Sequence, residues 1–385
     1  MKLQPPSAAI LWSMVLLAGS IAACRRAEDS ALKPIETVVA ERSVEYAGHA
    51  SCAECHADIA ATHRQTGHAR TFALTKDSDI AARLCGSTLT LPAPYGRYEY
   101  TCDAEGAMVA IPARSAERAF PLEYALGSGD HAVTFFSLMP KPSGETVGIE
   151  HRITWYRSDE AFDVTPGQDD LTPSLDAEFF GRVIPPNQAK ECIDCHTTTA
   201  VFDGHRLTSL DPGVHCEECH GPGAQHVSAA KAGDTKASLS HIVRAHSAID
   251  EMELCGRCHR TAKDITPERL AKYPRSVIRF QPVGLSKSRC FLETEGGLRC
   301  THCHDPHSPV TSRTLAVQEA TCMECHSRAD QTHCSVSPAA DCIKCHMPAI
   351  ELVRGISFHD HWIRVRKAED AGRTAPEDAG HATVK

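Results

Sequence analysis

The longest uninterrupted apolar run lies near the start of the chain, from Ala8 to Gly19, behind a thin basic head of Met1 and Lys2. It is shorter than the roughly 20 residues that a membrane-spanning helix needs, and it has the layout of a bacterial secretory signal. A second pattern fills the stretch from Cys85 to about Gly167. There RYEYTCDAEGAMVAIPA and HAVTFFSL alternate, or run β-branched and aromatic, between breaks rich in Gly, Pro and Asp. This predicts a small antiparallel sheet. Residues up to 45 read as a charged tether, and residues 367–385 are polar, Ala/Gly-rich and of disordered composition.

Composition changes the picture sharply. The 385-residue chain has 19 Cys and 23 His but only 5% aromatic residues. At those frequencies C-x-x-C-H should arise about 0.06 times by chance. It occurs seven times, beginning at Cys52, Cys192, Cys216, Cys255, Cys300, Cys322 and Cys342. The spacings of 140, 24, 39, 45, 22 and 20 residues share no period, so this is no solenoid of equal repeats. With 40 Lys+Arg against 49 Asp+Glu, the net charge of −9 argues against nucleic acid as a partner.

The motif spacing is that of c-type haem attachment. Two thiols three residues apart on one helical turn reach the two vinyl groups along one edge of the macrocycle. The His that follows swings under the ring to the iron. Zinc knuckles need no His at that position, and a redox dithiol needs one motif rather than seven. The expectation is seven covalent haem c groups, held by the pairs Cys52/Cys55, Cys192/Cys195, Cys216/Cys219, Cys255/Cys258, Cys300/Cys303, Cys322/Cys325 and Cys342/Cys345. The proximal ligands are then His56, His196, His220, His259, His304, His326 and His346. Haem plates would form most of the core, which accounts for the few aromatics and implies short helices joined by loops.

Distal ligands must come from the other histidines. His307 follows His304 too closely to wrap round the same macrocycle, so it is expected to serve a neighbouring haem. His226 behaves likewise, because Gly221-Pro222-Gly223 turns the chain away from its own haem. His302 reads as a bystander inside its motif, and His49, His151, His241 and His381 as solvated.

CAECHADIAATHRQTGHART, CIDCH, GVHCEECHGPGAQH and LCGRCH resemble the tetrahaem cytochrome c-552/4 family of nitrifying bacteria. That resemblance implies His68 as a distal ligand. LGSGDHAVTFF, SRCF, CTHCHDPH, HCSVSPAADCIKCHMP and FHDHWIRV resemble the family's larger multihaem relatives, and imply His131, His333 and His361 as further ligands. Two positions depart from the pattern: His63 stands where the tetrahaem family tends to carry an aromatic, and His359 duplicates His361. Six distal candidates for seven irons leave one over. The haem at Cys192 and Cys195 is the expected exception, because its counterpart in the tetrahaem family is five-coordinate; His205, His63, His215 or His246 could instead complete it.

The expected fold is therefore mainly α with much irregular structure, packed around seven haems, with a small antiparallel β insertion between the first and second motifs. Its parts are a lipoprotein-type signal (1–23), a tether (24–45), a first haem segment (46–84), a β-rich insertion (85–182), a six-haem segment (183–366) and the tail. Ile21-Ala22-Ala23-Cys24 resembles a lipobox, with ordinary cleavage as the alternative. Arg25 after the cysteine points by resemblance to the outer membrane. The chain is expected to be exported, to the periplasmic side or the cell surface, with a lipid anchor at Cys24 and redox proteins as donor and acceptor. Outside the motifs and Cys24, four thiols remain, at Cys85, Cys102, Cys290 and Cys334, which allow three pairings. Cys85–Cys102 and Cys290–Cys334 are the expected bridges in an oxidising compartment. Electron transfer is the expected function. The alternative is a redox enzyme acting on NO, hydroxylamine or a small oxyanion at one open-site haem; the C-x-x-C-K motif of ammonia-forming nitrite reductases is absent from the sequence.

Overall fold

The computed structural model describes residues 45–366 apart from 107, 113–118, 142–145, 170, 204–205, 295–296, 328–333, 335, 337–339 and 354. The signal, nearly all of the tether, the tail, Cys24, His205, His333 and His381 lie outside the described residues. Among those described, no helix is long and apolar enough to cross a membrane.

The chain is not mainly α. Strands run through its first half as β1 (Phe72–Leu74), β2 (Thr88–Leu91), β3 (Gly96–Cys102), β4 (Met108–Pro112), β5 (Phe120–Leu122), β6 (Tyr124–Leu126) and β7 (Ala132–Pro140). They continue as β8 (Thr146–Tyr156), β9 (Ala161–Val164), β10 (Gly181–Ile184), β11 (Thr197–Asp203), β12 (Arg206–Pro212), β13 (Ala349–Val353) and β14 (Ile356–His359). One sheet has the order β1-β6-β7-β8-β10, and β9 pairs with the far half of β8. A second has the order β2-β3-β4-β5, while β11–β12 and β13–β14 are separate hairpins. All the strand pairings are antiparallel.

The sheet was legible in part because β3 and β4 alternate, with Tyr98, Tyr100, Met108 and Ala110 turned inward. β8 does not alternate, because both of its faces are covered and it is buried along nearly its whole length. It also carries polar residues inside. His151, expected in solvent, is fully buried: the Tyr100 hydroxyl meets its Nε2 at 2.7 Å and the Phe180 carbonyl meets its Nδ1 at 2.7 Å. Arg152 donates to the Gln168 carbonyl at 3.2 Å, and Thr154 bonds both Thr134 and Thr165. Satisfied polar groups of this kind belong in a core but erase the hydrophobic pattern that would announce it.

Two apolar clusters sandwich the six-stranded sheet. On one face Leu84, Tyr98, Tyr100, Phe120, Phe135, Ile149, Trp155 and Phe180 join it to the four-stranded sheet. The Cys85–Cys102 disulfide ties β3 to the segment before β2, with Cα atoms 5.5 Å apart, as the sequence led us to expect. On the other face Phe72, Tyr124, Phe136, Leu138, Ile193, Leu207 and Leu210 form a second cluster. Ile193 belongs to the helix Pro186–His196, which carries the second haem motif. That helix packs close because position 148 is glycine; a Cβ there would lie 2.4 Å from the Phe136 ring and 2.9 Å from the Ala189 Cβ. The β module thus holds the second motif rigidly in place. Beyond residue 212 the apolar clusters shrink to a handful of side chains each.

Candidate haem sites

Each motif sits on a short helix or at its end. The second, fourth and sixth motifs close the helices Pro186–His196, Ala248–His259 and Leu315–His326. The third and seventh form the helices Cys216–His220 and Cys342–His346, while His49–Ala53 and Cys300–Cys303 carry the start of the first and fifth. Local chemistry starts these helices. Ser247 accepts from the Asp250 amide at 3.1 Å while Asp250 accepts from the Ser247 amide at 2.9 Å, a capping box, and Pro186 occupies a first-turn position. Three residues of helical spacing set both thiols of a motif on one face.

The thiols of different motifs meet. Neighbouring pairs are Cys52 with Cys216, Cys195 with Cys258, Cys255 with Cys300 and Cys322 with Cys342. Cys219 lies near Cys255, and Cys303 near Cys322. The motifs therefore form one connected series, first–third–fourth–fifth–sixth–seventh, with the second branching from the fourth. In three of these contacts a carboxylate from one motif helix clamps the start of the other. Glu217 accepts from the amides of Ala47, Gly48 and Gly223, each at 2.7 Å. Glu251 accepts from the Thr301 amide at 2.7 Å and its hydroxyl at 3.0 Å, and Glu319 from the Ile343 amide at 3.1 Å. These acidic side chains cap the short motif helices from outside.

Imidazoles also come to face one another. Ring centroids lie 6.3 Å apart for His56–His226, and 6.1 Å for each of His68–His259, His220–His307 and His304–His361. A metal–imidazole bond of about 2.0–2.1 Å, with each nitrogen about 1.1 Å from its ring centre, puts two axial imidazoles about 6.3 Å apart across one iron. The four pairs fit that separation. In four of these rings the other nitrogen is occupied: Nδ1 of His220 bonds the Val243 carbonyl at 3.1 Å, His226 that of Ser238 at 3.0 Å and His361 that of His359 at 2.9 Å. His259 uses the Gln281 side chain at 3.1 Å. Such bonds set the tautomer and leave Nε2 free as a ligand. Burial also lowers the pKa of His68, His259 and His304, and pushes that of His361 down to about 4, which keeps these rings in the neutral, metal-binding form.

Residues 175–221 match the family described as cytochrome c554 and c-prime, and residues 294–331 match the doubled CXXCH motif. Those two spans hold the second, third, fifth and sixth motifs. This is a multihaem c-type cytochrome. Its cofactor is haem c, and its chemistry is electron transfer with redox partners. Among solved structures it is similar to the outer cell wall cytochrome OcwA, at 15% identity and a TM-score of 0.46, over 86% of this chain and 82% of that one. No curated protein sequence matches it.

In the cytochrome, the remaining expected ligands stand apart from these pairs. His131 faces Phe358 of β14, with centroids 5.9 Å apart, and no motif histidine. Nδ1 of His346 bonds the Arg364 carbonyl at 3.0 Å. Nδ1 of His196 sits between the Thr71 hydroxyl at 2.8 Å and the Thr71 carbonyl at 3.1 Å, and among the described residues no second imidazole faces its ring. His302 is exposed and accepts from the Arg299 amide at 3.0 Å, a local cap. His241 and His246 are exposed.

Among the motif thiols, Cys55 and Cys345 are exposed, as is Cys325. The reason for Cys55 and Cys345 is their place in the series. The first and seventh motifs end its unbranched run, and each meets its neighbour through its other thiol, Cys52 against Cys216 and Cys342 against Cys322. The second thiol of each end motif therefore faces outward. Two expectations need correcting. The expected Cys290–Cys334 disulfide is not formed: Cys334 is exposed, while Cys290 is half-buried near Cys303 and Cys325. His49 is half-buried rather than solvated, and it stacks on His215 at 4.3 Å. Sequence reasoning missed that grouping, because its members are some 160 residues apart in the chain; the one available signal was His63 in place of an aromatic.

Proposed function

We propose that the protein is an exported heptahaem electron carrier, kin to the tetrahaem cytochromes of nitrifiers, lipid-anchored through Cys24 at the outer membrane and exchanging electrons with protein partners. The reading rests chiefly on the unbroken series of thiol contacts between motifs. Each of those thiols would be bonded to the edge of a macrocycle, so neighbouring edges lie within a few bond lengths. When bound, haem iron takes up and releases one electron at a time. The chain's own contribution is spacing and ligation. Glu217, Glu251 and Glu319 hold pairs of motif helices in register, and His226, His68, His307 and His361 are the distal ligands for the first, fourth, third and fifth motifs. Each distal residue comes from a segment attached to another motif, so ligation would cross-link the chain. The exposed Cys55 and Cys345 would bind the two end haems, where partners exchange electrons with the series. Distal roles for His131 and His333 belong to the same proposal. The signal-like N-terminus supports export and the Ile-Ala-Ala-Cys tetrad supports the anchor.

The surroundings of His196 favour a second reading, a redox enzyme with an open position at the second motif. Thr71 occupies its Nδ1, and among the described residues no ring contact pairs His196 with a second imidazole. Electron paramagnetic resonance of the as-isolated holoprotein, before and after adding NO or cyanide, separates the two. The carrier reading expects low-spin irons throughout, inert to both ligands. A high-spin signal from one iron in seven that binds NO, with turnover of a small nitrogen compound, would move the assignment to the enzyme.

A further inference from the structure

A second kind of metal site is built between the first and third haem segments. His49 lies on the helix His49–Ala53, Asp211 on β12, and His215 caps the start of Cys216–His220. One ligand atom from each residue lies within 4.8 Å of the other two. The Nδ1 atom of His49 is buried and has no hydrogen-bond partner. Such an atom needs an explanation, and an absent ion is one. Nε2 of His215 bonds the Pro212 carbonyl at 3.0 Å, which leaves its Nδ1 lone pair available in the manner of a carbonyl-oriented metal ligand.

The spacing of the rings excludes a shared haem. His49 and His215 have centroids 4.3 Å apart. Axial imidazoles on one iron need about 6.3 Å, whereas two neighbouring ligands on a small cation, 90–109° apart, need about 4.5–5.2 Å. The backbone is shaped to bring these groups together. Gly213 has φ +82°, and a Cβ there would strike the Ala69 carbonyl at 2.4 Å and His215 Nε2 at 3.1 Å. The Thr198 hydroxyl holds the same turn, accepting from the His215 amide at 2.9 Å and donating to the Gly213 carbonyl at 2.8 Å.

We propose that His49, Asp211 and His215 bind a divalent transition-metal ion. Imidazoles with one carboxylate suit zinc, which would brace the first segment against the third without taking part in electron transfer. The site is independent of which irons are open.

The test uses the full-length, haem-loaded protein, stripped with chelator and titrated with zinc chloride by calorimetry, with metal and haem content measured on the product. One zinc per chain is expected, bound roughly 100-fold more weakly in His49→Gln and Asp211→Asn, with haem content and low-spin signals unchanged. Absence of stoichiometric zinc in the wild type, or equal affinity in both variants, would overturn the proposal. So would loss of a low-spin signal in His49→Gln, since that would make His49 an iron ligand. Asp211→Asn keeps the test open if the histidine variant fails to fold.

Discussion

An imidazole serves as a ligand only when one nitrogen is anchored and the other is left bare, and burial decides its charge. His259 meets both conditions, and faces His68 across a gap sized for an iron. His68→Ala should convert one low-spin haem into a high-spin one while all haems stay attached, since attachment depends on the thiols. Resonance spectra with a pyridine haemochrome count check this. His151 is the opposite case, a neutral structural histidine whose burial pushes its pKa down to about 3. Because the folded value lies below the unfolded one of about 6.5, its stabilising effect is complete above that pH and is lost as pH falls from there toward 3. The loss should reach a few kcal/mol in the β module. Far-UV circular dichroism during acid titration should show the sheet signal failing across that window, with a shallower loss in His151→Gln.

Helices of four or five residues are too short to persist alone, so their geometry is borrowed from neighbours. Glu217 stabilises the first motif through three backbone amides that would otherwise be desolvated without an acceptor. Glu217→Ala should cost about 3 kcal/mol, and Glu217→Gln less, in guanidinium unfolding followed by the haem absorption band. The β module has its own fastening. Cys85 and Cys102 are 17 residues apart in sequence, and removing both should lower the module's stability by about 3 kcal/mol. The haem spectrum should stay unchanged, because the bridge faces the opposite side of the six-stranded sheet from the second motif helix. A shifted haem spectrum in this variant would mean that the two halves are more tightly coupled than their packing implies.

Across the whole molecule, the β module and the motif series are complementary. The module supplies a conventional apolar core, whereas the rest has few buried side chains of its own and would be filled by macrocycles. Chain lacking haem should therefore keep its sheet signal but lose cooperative unfolding beyond residue 212, which limited proteolysis of haem-deficient protein would reveal. The proposed lipid anchor has its own test. Acyl chains contribute roughly 0.8 kcal/mol per buried CH₂, so on that proposal Cys24→Ala should release the protein from the membrane. Sedimentation with membranes at high salt in that variant would exclude the lipid anchor.

Haem attachment was readable from the sequence because its chemistry is local: two thiols and an imidazole act within five consecutive residues, whatever surrounds them. The Cys85–Cys102 bridge was readable for a related reason, since it closes a short hairpin. The extent of β structure was not. β8 buries His151, Arg152 and Thr154, and their partners Tyr100, Gln168 and Thr134 lie on other elements, so nothing in the strand itself announces a core. Nor does a motif announce which of its thiols faces outward, as Cys55 and Cys345 do, because that depends on which motifs end the series. The same holds for the partners of the motif histidines. The facing of His307 with His220 and of His226 with His56 depends on contacts spanning more than 80 residues. The order of the motifs in space, and the meeting of His49, Asp211 and His215, belong wholly to the tertiary structure. Spacing along a chain constrains reach within a turn or two of helix; beyond that, packing decides which groups meet.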